Sequence, residues 1–424
     1  MMTDQGRMET GGSRTRTAIV LVVCLATALV AAQPVALPRV SPESVGLDPN
    51  RLKEASSLLN QFVTERKIAG AVASVARKGK VAYVEAVGFQ SLESRAPMTE
   101  RSLFRIYSMT KAVTAVSAMI LHEEGRFDLS DPVSKYLPEF NAVSVVVERG
   151  GQNRPPERDI TVADLLLHTS GLSHRTSELY RTSKVRSRSI TLPQFITNIV
   201  RAPLMEDPGT RYRYSEGTTV VGRLIEIWSG KPLDAFMRER LFEPLGMADT
   251  GFWARADQRT RLTTVYAAQP GGGLQPFEIE EVPFTERPAL LEGAVGLLST
   301  VPDFMRFSQM LLNRGELNGV RILSPKTVDL ITANGLTEPI LRARGGAMGW
   351  SLANVNVVVD PSAMKDSPNA GEYGWDGSAG TIFWIDPKDE MVTVLMTQSS
   401  PANPDSLRQR FKALVQASAR GTSP

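Results

Sequence analysis

Cysteine and histidine, two residue types that often carry catalysis, are scarce in this chain. Its 424 residues include one cysteine and three histidines. Cys24 lies in an apolar N-terminal stretch, so the rest of the chain can form neither a disulfide bond nor a cysteine nucleophile. His122, His168 and His174 follow no metal-binding spacing and have no cysteine partners, which argues against a zinc site. We therefore expect no metal and no cofactor.

A strong excess of charge of either sign is also missing. The net charge is +3, with 42% hydrophobic and 22% charged residues, which is ordinary for a soluble globular protein. The chain contains no lysine-rich helix and no alternation of basic and aromatic residues. A nucleic-acid partner is therefore not expected.

The N-terminal sequence has the pattern of an export signal. Three arginines precede an unbroken run of apolar and small residues at 18–32, and small residues occupy 30–32. The run is shorter than the roughly 20 residues that a membrane-spanning helix needs. The pattern predicts a signal peptide over residues 1–32, cleaved after Ala32. The mature chain would then be periplasmic or extracellular and free of the membrane, with an uncleaved anchor as the alternative.

Periodicity places strand-forming sequence towards both ends of the chain and helical sequence in its middle. This order predicts an α+β fold in one hydrolase domain, residues 33–424. Its α/β part covers about 33–128 and 290–424, and an inserted helical lobe covers about 129–289. The predicted elements are helices 49–66, 112–121, 165–168, 191–200, 218–229, 233–242, 301–313, 324–332 and 405–418, and strands 71–76, 81–87, 348–359, 381–385 and 391–397.

Ser108 and Lys111 lie at the start of the apolar helix 112–121. Residues three apart share one face of a helix, so the two side chains should be neighbours. A serine hydroxyl needs a base before it becomes a good nucleophile, and a desolvated lysine can serve as that base. The helix N-terminus further favours negative charge on Ser108. The spacing alone is common by chance, so other stretches must agree with it.

Two further motifs agree with the first. In chain order, the sequence has Ser108-x-x-Lys111, PGTRYRYSE at 208–216 and WDGSAG at 375–380. Together with 160–172 and 241–252, they resemble the class C β-lactamase fold family, which includes the family VIII carboxylesterases. The resemblance implies a β-lactamase/transpeptidase-like fold, with an antiparallel sheet flanked by helices. It also implies a serine hydrolase that forms an acyl-enzyme.

The resemblance assigns roles to individual residues. It implies that Ser108 is the nucleophile, that Lys111 is its base or electrostatic partner, and that Tyr214 relays the proton to the leaving group. The backbone N–H groups of Ser108 and Ser378 would form the oxyanion hole. The substrate contacts that it implies are Tyr107, Glu216, Trp375 and Gly377.

Two departures from the family pattern concern the substrate. Trp375 occupies the place of a lysine that suits a substrate carboxylate, and Glu216 replaces an asparagine. Glu216 would repel an anionic substrate and would either pair with Lys111 or point to solvent. Both changes favour neutral, small carboxylic esters, and Glu216→Asn should leave ester turnover largely intact.

Other functions stay open at this point. A β-lactamase or a D-amino-acid amidase or peptidase would use the same residues on an amide substrate. A weakly catalytic protein that binds cell-wall peptide is the alternative outside enzymes. A Ser-His-Asp enzyme is disfavoured because the chain has no G-x-S-x-G motif. The acyl group, the leaving group, transfer against hydrolysis and the oligomeric state are also open.

Overall fold

The computed structural model describes residues 1–2, 5–6, 36–147, 152–364 and 366–420. The apolar part of the predicted signal peptide and its cleavage site lie outside these residues. Within them, no helix combines the length and the apolar character that crossing a bilayer requires.

The strands and helices of the described residues follow the α+β order that the sequence predicts. The strands are β1 (Gly70–Arg77), β2 (Lys80–Ser91), β3 (Ala96–Pro97), β4 (Phe104–Arg105), β5 (Tyr266–Ala268), β6 (Leu274–Pro276), β7 (Leu298–Ser299), β8 (Glu316–Leu317), β9 (Val320–Arg321), β10 (Met348–Trp350), β11 (Asn356–Val358), β12 (Tyr373–Asp376), β13 (Ile382–Asp386), β14 (Met391–Thr397) and β15 (Ser399–Ser400). The α-helices are α1 (Pro49–Thr64), α2 (Thr110–Glu123), α3 (Val162–Leu167), α4 (Glu178–Thr182), α5 (Leu192–Ile199), α6 (Gly217–Ser229), α7 (Leu233–Met237), α8 (Glu243–Leu245), α9 (Val301–Leu312), α10 (Pro325–Thr332), α11 (Glu338–Ala343) and α12 (Leu407–Arg420).

The main sheet joins the two ends of the chain. It has eight strands in the order β10-β11-β12-β13-β14-β1-β2-β3. Each strand runs antiparallel to its neighbours. At its centre, β1 pairs with β14 from Ala71 opposite Thr397 to Arg77 opposite Met391. The predicted α+β class, with an antiparallel sheet flanked by helices, is confirmed, and the division into two lobes stays a prediction.

Side chains of a strand alternate between the two faces of a sheet. In the central strand β1, the side chains on both faces are buried. Val72 and Ala76 belong to the large core that also contains residues of α2, α6 and α9. Ala73 and Val75 belong to a second core with α1 and α12. The sheet is therefore enclosed by helices on both sides, and α12 packs behind the strands that lead to the site.

Three details of the predicted elements are wrong or incomplete. The strand predicted at 348–359 is a hairpin, β10 and β11, because Asn354 takes a left-handed conformation (φ 57°) and Ser351 N donates to Val355 O at 3.0 Å. A Gly-containing strand, β12, and the helix α11 were not predicted. The helix predicted at 233–242 changes to a π-helical turn at Arg238–Phe242.

Candidate active site

Ser108 lies in a tight turn between β4 and α2. The turn, Tyr107–Met109, is 3₁₀-helical and leads directly into α2. Tyr107 is fully buried and has φ 40°, a conformation that costs energy for a residue with a side chain. Such strain persists where the surroundings fix the backbone, and here Ile106 N donates to Leu297 O at 3.0 Å. This hydrogen bond fixes the backbone just before the Ser108 turn, in which Ser108 is partly exposed.

Lys111 is buried one turn further along and has no acidic partner. Its side chain is 0% exposed, and its Nζ donates to Ala294 O at 3.1 Å. The same nitrogen lies 4.6 Å from the centre of the Tyr214 ring. Among the described residues, no carboxylate oxygen lies within 4.0 Å of it. The lysine is therefore desolvated without being fixed in an ion pair, as a general base requires.

Tyr214 belongs to a cluster of rings that we call the aromatic wall. Trp375 Nε1 donates a hydrogen bond to Tyr214 Oη at 3.2 Å, and their rings are 5.4 Å apart. His174 stacks on the other side of Tyr214, with ring centres 5.5 Å apart and planes at 29°. Trp350 meets Trp375 edge to face at 4.6 Å. The wall consists of His168, His174, Tyr212, Tyr214, Trp350 and Trp375.

The Ser378 turn, residues 377–381, connects β12 to β13 and abuts the Ser108 turn. Gly377 N donates to Thr381 O at 2.8 Å and closes the turn. A Cβ on Gly377 would lie 2.5 Å from Ile106 O, so only glycine allows this approach. Ser378 itself is exposed at the tip. Two segments some 270 residues apart in sequence are thereby brought side by side.

Glu216 is buried, which corrects the alternative that it points to solvent. Its side chain is 0% exposed, its Oε2 accepts from Thr219 Oγ1 at 2.9 Å, and its Oε1 has no hydrogen-bond partner among the described residues. Burial raises the pKa of this carboxyl, and nearby Glu292 raises it further, while Lys111 acts in the opposite direction. The expected ion pair between Glu216 and Lys111 is not formed. The raised pKa favours the neutral form of this carboxyl, which forms no ion pair with Lys111.

The histidines near the site are neutral at physiological pH. His168 is fully buried, and its Nδ1 shares a hydrogen bond with Ser215 Oγ at 3.1 Å. Burial lowers the pKa of His168 well below its usual value, and lowers that of His174 to about 4. The position of His174 beside Tyr214 was not predicted, because the two residues are 40 apart in sequence and meet only through the tertiary fold.

Comparisons with known proteins identify relatives of this chain and structures of the same fold. The family model described as Beta-lactamase matches residues 55–418. An uncharacterised protein of Mycobacterium tuberculosis is 33% identical, with 79% of this chain and 86% of that protein covered. The esterase EstB of Burkholderia gladioli is 28% identical, covering 85% and 94%. The solved structure of EstCE1, titled a hydrolase with promiscuous acyltransferase activity, superposes with a TM-score of 0.76 at 24% identity, covering 87% and 98%. The structural likeness confirms the predicted fold.

Proposed function

Since this chain belongs to the Beta-lactamase family and is a serine hydrolase of that fold, we propose that it is exported and cleaves small carboxylic esters through an acyl-enzyme on Ser108. The observation that carries the proposal is the environment of Lys111. This lysine is buried, lacks a carboxylate partner among the described residues, follows the Ser108 turn directly on α2, and has its Nζ 4.6 Å from the centre of the Tyr214 ring. An amine in that position can take the proton of a serine hydroxyl.

The proposed reaction has two steps. Ser108 Oγ attacks the ester carbonyl carbon as its proton passes to Lys111. Tyr214 then gives a proton to the departing alkoxide and is reprotonated from Lys111, so the alcohol leaves and an acyl-enzyme remains. In the second step, water attacks the acyl-enzyme in the place of the alcohol. Its proton passes to Tyr214 and on to Lys111, Lys111 returns a proton to Ser108 Oγ, and the acid is released. The N–H groups of Ser108 and Ser378 would bind the oxyanion in both steps.

The aromatic wall supports a neutral substrate. Trp375 presents an apolar face and uses its indole N–H on Tyr214 Oη. Arg344 lies 4.1 Å from the centre of the Tyr212 ring, but its terminal nitrogens already donate to Met348 O and Asn356 Oδ1. A substrate carboxylate would therefore compete with bonds within the protein. The name of the relative EstB supports an ester over an amide.

Export rests on the sequence pattern of residues 1–32. Basic residues, an apolar stretch and small residues before the cut are the features of a cleaved signal peptide. Expression of the full chain in a bacterial host and mass spectrometry of the periplasmic fraction test this part. A mature N-terminus at Gln33 supports it, and recovery of the intact chain from the membrane or the cytoplasm refutes it.

The catalytic part is tested with the chain from Gln33 onward, on p-nitrophenyl butyrate and on a chromogenic cephalosporin. Each assay is run beside Ser108→Ala. We expect ester turnover, little cephalosporin turnover, and loss of both in the variant. A fluorophosphonate should add its phosphonyl group to Ser108 in the wild type alone. Rapid cephalosporin hydrolysis would favour an amidase, and full ester turnover by Ser108→Ala would overturn the proposal.

A further inference from the structure

The side chain of Arg408 forms hydrogen bonds to the Ser378 turn from helix α12. Arg408 is the second residue of α12 and is 7% exposed. Its Nη2 donates to Gly377 O at 2.7 Å and to Thr381 O at 3.1 Å. Its Nη1 donates to Asp376 Oδ2 at 2.5 Å. One guanidinium group therefore holds both ends of the turn and the strand residue that precedes it.

The Ser378 turn needs such support, because its own sequence gives it little rigidity. Two of its five residues are glycines, and Gly380 has φ 104°, a conformation open mainly to glycine. Besides the bond from Gly377 N to Thr381 O, Gly380 N donates to Gly377 O at 3.1 Å. Both bonds lie within the turn and fix its shape. Its position is fixed by bonds to other segments, among them Ser399 N to Ala379 O at 2.8 Å and the long bond from Thr381 Oγ1 to Ile106 O at 3.4 Å. Arg408 ties the turn to α12, an element of the scaffold.

An oxyanion hole depends on this distance. Its donors must lie about 3 Å from the oxygen that carries the developing charge, and a displacement of about 1 Å can cost on the order of a hundredfold in rate. On the side of the Ser108 turn, Gly377 presses against Ile106 O and cannot move closer. At its two ends, Gly377 and Thr381, the turn is held by Arg408, whereas its middle is held by backbone bonds with residues 397–399.

We infer that Arg408 is a positioning residue that sets the distance between the Ser378 N–H and the Ser108 N–H, an inference that rests on the proposed acyl-enzyme at Ser108. The planar guanidinium suits this task because it can donate to three oxygens at fixed angles. Asp376 supplies the compensating charge for a cation that is otherwise buried. A lysine ammonium has neither the reach nor the planar geometry to hold the same three acceptors.

The test compares Arg408→Ala with Lys412→Ala, a matched control one turn further along α12. Lys412 is a half-buried cation that ties α12 to the segment before β12, through Glu372 and Ser367, and it has no hydrogen bond to the Ser378 turn. For Arg408→Ala we expect kcat for p-nitrophenyl butyrate to fall about tenfold to hundredfold, with KM changed less than about threefold. Lys412→Ala should keep kcat within about threefold of the wild type.

Chemical rescue separates positioning from general loss of structure. Arg408 borders an open cavity of about 200 Å3, so a guanidinium ion from solution can enter the space that the missing side chain leaves. Added guanidinium at concentrations far below denaturation should raise kcat of Arg408→Ala at least about threefold and leave Lys412→Ala unchanged. Absence of rescue together with a wild-type KM and kcat would overturn the inference.

A conservative variant covers the case in which Arg408→Ala does not fold. Arg408→Lys keeps the charge and the packing of the stem but not the three hydrogen bonds. We expect a folded protein with a reduced kcat and a matching loss of affinity for a trifluoromethyl ketone, which forms a tetrahedral adduct. A wild-type kcat in Arg408→Lys refutes the positioning role. Ser108→Ala, assayed in parallel, shows separately whether the acyl-enzyme proposal has failed.

Discussion

The hydrogen bond from Trp375 to Tyr214 offers a sharp test of the proposed proton relay. Trp375→Phe removes the indole N–H, which lies 3.2 Å from Tyr214 Oη, and keeps an aromatic ring in the wall. The replacement ring can still meet Trp350, whose centre lies 4.6 Å from that of Trp375. The variant therefore changes one donor to the relay oxygen and little of the packing.

The size of the effect reports on the charge of the relay oxygen. A hydrogen bond to a neutral oxygen contributes about 0.5–1.5 kcal/mol, which corresponds to a loss of about twofold to tenfold in kcat/KM. A hydrogen bond to a charged oxygen contributes about 1.5–3 kcal/mol, or about tenfold to 150-fold. If Tyr214 Oη carries negative charge in the transition state, Trp375→Phe should fall in the second range.

Trp350→Phe is the matched control from the same wall. Its indole N–H donates to Leu166 O at 3.1 Å, away from Tyr214. That carbonyl also accepts from Asn354 Nδ2 at 2.9 Å, so it keeps a donor in the variant. We expect Trp350→Phe to lower the melting temperature more than Trp375→Phe, because Trp350 is fully buried, and to change kcat/KM by less than about threefold.

Initial rates with ethyl butyrate at pH 7.5, followed through the acid released, make the comparison beside melting curves for both variants, because an alcohol, unlike p-nitrophenol, needs a proton to leave. The kcat/KM from these rates reports the acylation step. A wild-type acylation rate in Trp375→Phe would show that the hydrogen bond plays no part in catalysis. Equal losses in the two variants would assign the effect to the shape of the wall instead.

Three further predictions follow from the same geometry. Burial and the nearby Glu292 raise the pKa of Glu216, so the folded protein keeps a proton that the unfolded chain loses above about pH 4.5, and wild-type stability falls as the pH rises from there. Glu216→Gln should keep ester turnover and gain in melting temperature over the wild type between pH 5 and pH 8, and a constant difference contradicts this. Burial lowers the pKa of His174 to about 4 from 6.5, so stability falls as the pH drops through that window. The melting temperature of His174→Gln minus that of the wild type should therefore be larger at pH 4.5 than at pH 8. An equal difference at the two pH values refutes this prediction. Gly377→Ala places a Cβ 2.5 Å from a backbone carbonyl oxygen and should cut kcat at least about tenfold. Gly251→Ala, whose Cβ has no atom closer than 4.0 Å, should leave kcat unchanged. Equal kcat values for the two variants would contradict the close approach at Gly377.

Local sequence signals predicted most of the elements that carry the site. The helix predicted at 165–168 is α3, which begins earlier, at Val162, behind a capping box of Thr161 and Asp164, and β14 has the predicted bounds, Met391–Thr397. These elements are recognisable because their determinants lie within a few residues of one another. The hairpin of β10 and β11 was missed because one left-handed residue, Asn354, reverses a run that reads as a continuous strand.

The surroundings of the site were harder to predict, because they depend on tertiary contacts. Glutamates are exposed in most proteins, so the full burial of Glu216 could not be expected from its residue type. Arg408 reads as one charged residue on an amphipathic helix, and its three acceptors lie 27 to 32 positions away. The roles of Ser108, Lys111, Tyr214 and Ser378 remain predictions; the structure places Lys111 Nζ 4.6 Å from the centre of the Tyr214 ring and Gly377 against Ile106 O.

The pairing of β1 with β14 has a consequence for how the protein is made. Ala71 cannot find its partner Thr397 until more than three hundred further residues have been synthesised, and closing so long a loop is slow compared with forming local structure. The Ser378 turn is synthesised just before β13, and Arg408, which holds its ends, comes later still. A chain truncated before α12 would therefore lack both the second core that α12 completes and the arginine bonds to the Ser378 turn.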